Sequence, residues 1–159
     1  MTKDYTITDF DVANQQIFTE LNIAWLEKFF EVEPIDQKVL SDPETHIINK
    51  GGFIFFIAKD YQIVGTVALI KTDENTFELS KMAVNESCQG QGIGKKLMQH
   101  CFEFAIRNQI KNIILYSNTA LEPAIHLYRK MGFTEVPVNQ NLYKRANIKM
   151  QKTFFWCIK

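Results

Sequence analysis

Cysteine is too sparse and too scattered to staple this chain. Only Cys88, Cys101 and Cys157 occur, an odd number with no paired spacing. That excludes a disulfide framework and a zinc pattern, so free thiols in a reducing compartment and no metal are expected. Glycine (seven residues) and proline (four) are few, and no repeat or low-complexity stretch is present. Linker-rich and solenoid organisations are therefore excluded. Neither sign of charge prevails, since 18 Lys and Arg balance 18 Asp and Glu. This argues against a nucleic-acid partner held by bulk electrostatics. The longest apolar run, residues 53–58, is far too short to span a bilayer, and the first residues lack the apolar stretch of a signal peptide. A cytoplasmic protein with no membrane partner is expected.

What remains is ordinary, well-patterned globular sequence. A chain of 159 residues can bury a core unaided and reads as one domain, 1–159. Residues 5–7 read as a short strand. Over residues 11–30, Phe18, Leu21, Trp25 and Phe29 recur at spacings of three and four, a helical face. Pro34 interrupts it, and short helical pieces at residues 35–40 and 44–49 lead to the Gly51-Gly52 pair. Strands at residues 53–59, 63–71 and 76–84 are separated by short turns, which implies an antiparallel meander. Ile93, Leu97, Cys101, Phe104 and Ala105 then restore the helical period, before a β-rich run at residues 112–116. A helix between two strands implies a right-handed crossover and parallel pairing. A second helix at residues 120–131 carries Leu121, Ala124, Leu127, Tyr128 and Met131 on its apolar stripe. Pro123 lies in its first turn and Gly132 stands where a left-handed cap belongs. Strand-like pieces at residues 133–138 and 145–155 close the chain. The fold class is α/β, a mixed sheet of about six or seven strands with flanking helices.

Residues 78–94 carry the chemistry: a strand, a loop with Gly90, Gly92 and Gly94, and the start of a helix. Glycines allow close backbone approach, and a helix start offers unpaired N–H donors and a positive dipole end. Together they form an anion site, most often for phosphate, to which Lys95 and Lys96 add charge. A P-loop fails, because Gln89 stands five before Gly94 and Lys96 follows Lys95. A Rossmann fingerprint fails because Lys95 occupies its third glycine position. Gln-x-x-Gly-x-Gly is satisfied by Gln89, Gly92 and Gly94.

That loop resembles the pyrophosphate loop of the GCN5-related N-acetyltransferase (GNAT) superfamily. Downstream, Ala124-Ile-His-Leu-Tyr-Arg-Lys-Met-Gly-Phe133 resembles the superfamily's second signature, one helix and one strand away. The resemblance implies a fold whose central strands four and five are parallel and splay apart. It implies acetyl-CoA as acetyl donor, cradled by Gln89, Gly90, Gln91, Gly92, Ile93, Gly94 and Lys95 and paired with the backbone of Met82, Ala83 and Val84. The activity it implies is acetyl transfer to a primary amine of a small molecule, amino acid or peptide, by direct attack on the thioester. It also implies roles for two side chains. Glu78 takes the acceptor's proton, the bland reading being a solvated strand end. Tyr128 protonates the departing thiolate, the bland reading being a core tyrosine.

The resemblance is incomplete at one position: Leu121 stands seven before Tyr128, where the family often has Asn. Asn118 is read as the replacement cofactor contact or as a helix cap. The acceptor site is expected among the N-terminal helices and the C-terminal strands, with Trp25, Phe29 and Phe30 on one side and the stretch from Tyr143 through Arg145 to Asn147 on the other. Arg145 reads as an anchor for an acceptor carboxylate or as an exposed terminal-strand arginine. Two other classes stay open: a non-catalytic acetyl-CoA sensor, and an assembly subunit or homodimer using Phe154, Phe155 and Trp156.

Overall fold

The apolar run at residues 53–58 belongs to a strand buried on both faces. The computed structural model describes residues 4–138 and 143–154. Seven strands, β1 (Tyr5–Asp9), β2 (Phe53–Lys59), β3 (Gln62–Lys71), β4 (Thr76–Val84), β5 (Asn112–Ser117), β6 (Thr134–Val136) and β7 (Ile148–Thr153), form one mixed sheet. Their order is β1-β2-β3-β4-β5-β7-β6. Side chains alternate across a strand, so Phe55 and Ile57 enter the core on one face while Ile54 and Phe56 enter the core on the other.

One face is covered by α1 (Gln15–Phe29), α2 (Pro34–Ser41) and α3 (Pro43–His46). Phe18, Asn22 and Leu26, four apart, are the buried line of α1. A reciprocal Glu33–Asp36 capping box starts α2, with Pro34 in the first turn where its missing N–H costs nothing. The opposite face receives α4 (Ile93–Arg107), whose Ile93, Leu97, Met98, Cys101 and Ala105 are buried. α5 (Glu122–Lys130) follows β5. It ends in a Schellman motif: the Phe133 N–H donates to the Tyr128 carbonyl at 3.0 Å, and Gly132 takes φ +99°.

Two irregularities shape the sheet. The β2–β3 hairpin turns on Asp60 and Tyr61, both at positive φ, the handedness a two-residue hairpin needs. The β3–β4 ladder shifts register between Thr66 and Ala68, where Lys81 lies opposite at φ +53°. This bulge bends β4 and costs a non-glycine residue about 1–3 kcal/mol of backbone strain. β4 pairs with β5 in parallel only through Thr76–Glu78, after which the two strands part. β5 turns instead to β7, pairing antiparallel along its whole length. Phe154 is 7% exposed and packs on Phe102, so it offers no patch; Phe155 and Trp156 lie outside the described residues. No helix among the described residues is long and apolar enough to cross a membrane.

Candidate active site

The glycine loop is open backbone. Gly90 and Gly92 take φ +80° and +77°, and an added Cβ would meet nothing within 4 Å at either position among the described residues. Glycine is needed there by conformation, not by packing. Gly92 caps α4 without any side-chain hydrogen bond, and no acidic residue occupies the first turn. The first N–H groups of α4 therefore have no side-chain cap and lie at a positive dipole end. The Gln91 Oε1 accepts from the Lys59 ammonium at 3.1 Å and from the Tyr5 hydroxyl at 3.4 Å, tying the loop to β1 and β2. Lys96 stands over the Tyr5 ring, 5.2 Å from its centroid. Lys59 is a cation the linear sequence did not mark, because only sheet pairing brings β2 beside the loop.

Behind the loop, β4 has no ladder partner on its β5 side from Leu79 to Val84 among the described residues. Ala83 is buried, while Met82 and Val84 are half-buried. An unpaired strand edge leading to a helix start fits a ligand with an amide-bearing arm and a diphosphate, which is the chemistry of coenzyme A.

At the fork of β4 and β5 lies a cavity of about 200 Å³, lined by Trp25, Phe30, Glu78, Lys81, Asn118, Tyr128, Tyr143 and Arg145 among others. Glu78 sits where pairing ends and is 4% exposed, so it is no solvated strand end. Its Oε2 accepts from the Tyr143 hydroxyl at 3.0 Å. Burial pushes its carboxyl above the ordinary range, and the Tyr143 bond and Lys81 charge only partly oppose this. Tyr143 is likewise pushed up by burial and by Glu78, so it stays neutral and donating. Tyr128 lines the same cavity, burial pushes its hydroxyl up to about 12, and that hydroxyl has no hydrogen-bond partner among the described residues.

A buried ion network supports these groups. Lys81 donates to the Asp36 Oδ1 at 2.8 Å. Arg145 donates to the two Asp36 oxygens at 2.6 and 2.9 Å and to Glu33 at 3.1 Å. Burial alone would raise the Asp36 pKa, but the bonds from Arg145 and Lys81 hold it down to about 2. Lys81 and Arg145 also flank the Tyr143 ring, 4.9 and 4.6 Å from its centroid. Arg145 is thus neither exposed nor waiting for a ligand: its guanidinium already holds two carboxylates of the chain.

Two further expectations are corrected. Phe29 is 40% exposed, its ring tilted against Trp25, and does not line the cavity. The helix ends there, and Phe30, at φ −148°, leaves the helical track and turns inward. Asn118 caps no helix, since α5 is preceded by Leu121. Its Oδ1 accepts from the Ala120 N–H at 2.8 Å and its Nδ2 donates to the Arg145 carbonyl at 2.7 Å. That joins the end of β5 to the segment before β7.

The sequence model of the Acetyltransferase (GNAT) family matches residues 15–133. The chain belongs to that family. N-acetylaspartate synthetase of Danio rerio is 36% identical over 100 residues, covering 61% of this chain and 35% of the relative. The GNAT chain therefore spans about a third of the length of the N-acetylaspartate synthetases it matches. Among solved structures, an acetyltransferase of the GNAT family from Staphylococcus aureus superposes with TM-score 0.83 at 23% identity, covering 94% of this chain and 99% of the other. The PaiA N-acetyltransferase of Thermoplasma acidophilum in complex with coenzyme A superposes at 0.75 with 16% identity, covering 95% and 99%. At these identities the structural likeness establishes the fold, including the seven-stranded mixed sheet with its splayed β4 and β5.

Proposed function

We propose that this GNAT chain is an acetyl-CoA-dependent N-acetyltransferase that acetylates a primary amine by direct attack on the thioester. The carrying observation is the coincidence, at one fork, of an unpaired β4 edge, an open glycine loop and a buried carboxylate. When bound, acetyl-CoA supplies an activated acyl group whose transfer leaves a thiolate. The amides of Ile93, Gly94 and Lys95, with Gln89, Gly90, Gln91 and Gly92, hold its diphosphate. The backbone of Met82, Ala83 and Val84 orients the pantetheine arm by strand-like pairing. Glu78, steadied by Tyr143, accepts the acceptor's proton, and the burial that raises its pKa makes it a stronger base. Tyr128, whose burial keeps its hydroxyl protonated, would hold a proton for the leaving sulfur. Trp25 and Phe30 wall the acceptor end beside Arg145, and Asn118, in the same lining, serves as a side-chain contact for the cofactor.

Cys88 and Cys101 are free, buried thiols. That suits a reducing compartment, and we place the reaction in the cytoplasm. The test is release of free coenzyme A from acetyl-CoA with a panel of primary amines, L-aspartate included because a relative is named for its acetylation. Amine-dependent release is expected. No release with any amine, under conditions where acetyl-CoA binds, would leave a binding module only.

A further inference from the structure

We infer that the acceptor of this site is a cationic amine with no carboxylate beside the amine. The inference rests on the cavity at the fork being the acceptor pocket, and it narrows the class of amine that fits there.

Charge carries the argument. Three carboxylates and two cations form one cluster at the acceptor end: Glu78, Lys81 and Arg145 line the cavity, and Glu33 and Asp36, outside the lining, hold the two cations. Both cations are spoken for. Lys81 is bonded to Asp36, and Arg145 to Asp36 and Glu33, with their side chains 4% and 17% exposed. Glu78 is the remaining carboxylate. No ion pair forms to it among the described residues: its hydrogen-bond partners are the neutral hydroxyls of Tyr143 and Ser80, and Lys81 and Arg145 act on it only through space. Three against two leaves one negative charge when Glu78 is ionised, directed at the cavity. An acceptor ammonium supplies the missing cation and brings its proton to the group that removes it. A carboxylate on the neighbouring carbon would be a fourth anion before two cations already neutralised, stripped of water without compensation. Trp25, Phe30 and Leu121 give the rest of the molecule apolar walls. The site should therefore reject an α-amino acid in favour of its decarboxylated amine. That is the reverse of the carboxylate-anchoring role expected for Arg145.

The experiment uses matched pairs that differ only by that carboxylate: phenethylamine with L-phenylalanine, and n-butylamine with L-norvaline. Affinity for the full chain saturated with coenzyme A is measured by calorimetry, and coenzyme A release from acetyl-CoA in parallel. In at least one pair the amine should bind tenfold tighter or more. Glu78→Gln should erase that preference by weakening the amine alone. Equal or tighter binding of the amino acids, binding of neither member of either pair, or a preference unchanged in Glu78→Gln overturns the inference. Preferential amine binding without coenzyme A release upholds the inference and removes the transferase reading. Release at equal kcat/KM for both members of each pair does the opposite.

Discussion

The two ends of the fork are built from opposite materials. The cofactor end is main chain: uncapped helix-start amides and glycines at positive φ, with nothing among the described residues where the side chains of Gly90 and Gly92 would be. The acceptor end is side chain: Asp36 fully buried, Lys81 and Glu78 nearly so, each fixed by a charged or hydroxyl partner. Open amides suit a ligand that brings its own large charge, because the donors need no reorganisation. A buried network suits proton transfer, because low local dielectric sharpens every charge within it. The ends should therefore fail differently, one in affinity and the other in turnover or folding.

The largest separation is expected from Glu78→Gln. Loss of a general base typically costs about 10²–10⁴-fold in rate. Turnover should fall by that order at neutral pH and recover partly at high pH, where the acceptor is already a free amine; a pH series of initial rates reads this. Asp36→Ala follows, and it should act on folding. Removing one partner of a buried ion network typically costs about 3–5 kcal/mol, here because Lys81 and Arg145 lose the carboxylate they share. Denaturant unfolding should show that loss. If Asp36→Ala is as stable as the parent, the acceptor end is not held by its charges.

Gly92→Glu probes the other end. Acetyl-CoA at about 100 times its dissociation constant adds roughly 2.7 kcal/mol of stability to the parent. The variant, with a carboxylate set in open space before the helix start, should lose most of that increment in a thermal-shift titration. Its melting temperature without ligand should fall only by the modest strain of a side chain at φ +77°. Tyr128→Phe should have a smaller effect on rate than Glu78→Gln, with unchanged affinity for acetyl-CoA and little change in melting temperature. Equal losses of stability and rate would make Tyr128 a packing residue.

The smallest expected effect is in the pH dependence of stability, where two buried carboxylates oppose each other. The folded pKa of Asp36, about 2, lies below its ordinary value. Its contribution is thus fully present above pH about 4 and is lost as the pH falls toward 2. The Glu78 pKa is raised, so its contribution is present below its ordinary value and is lost as the pH rises through the folded one. Unfolding midpoints across pH should show both slopes, and Glu78→Gln should remove only the one on the neutral side.

How far each end was legible follows from how each is built. The glycine loop and its helix lie within residues 78–94, where spacing is local and a main-chain site needs few side-chain identities. The α5 cap was legible for the same reason: Gly132 and Phe133 lie within three residues of the end of the helix they terminate. The acceptor network was not, because its bond from Arg145 to Glu33 spans 112 positions. Lys81 gave no signal either, since a lysine at φ +53° in a bulge looks like any other strand residue. Phe29 and Phe30 differ by a single position, and which of them enters the cavity depends on where the helix stops.

The division of labour is tested most directly by the affinity of Glu78→Gln for acetyl-CoA, measured by calorimetry beside its turnover. The account predicts a dissociation constant unchanged within about twofold while amine-dependent coenzyme A release falls by the factor expected for a lost base. A loss of affinity that matches the loss of turnover would contradict it, because the two ends would then be a single unit.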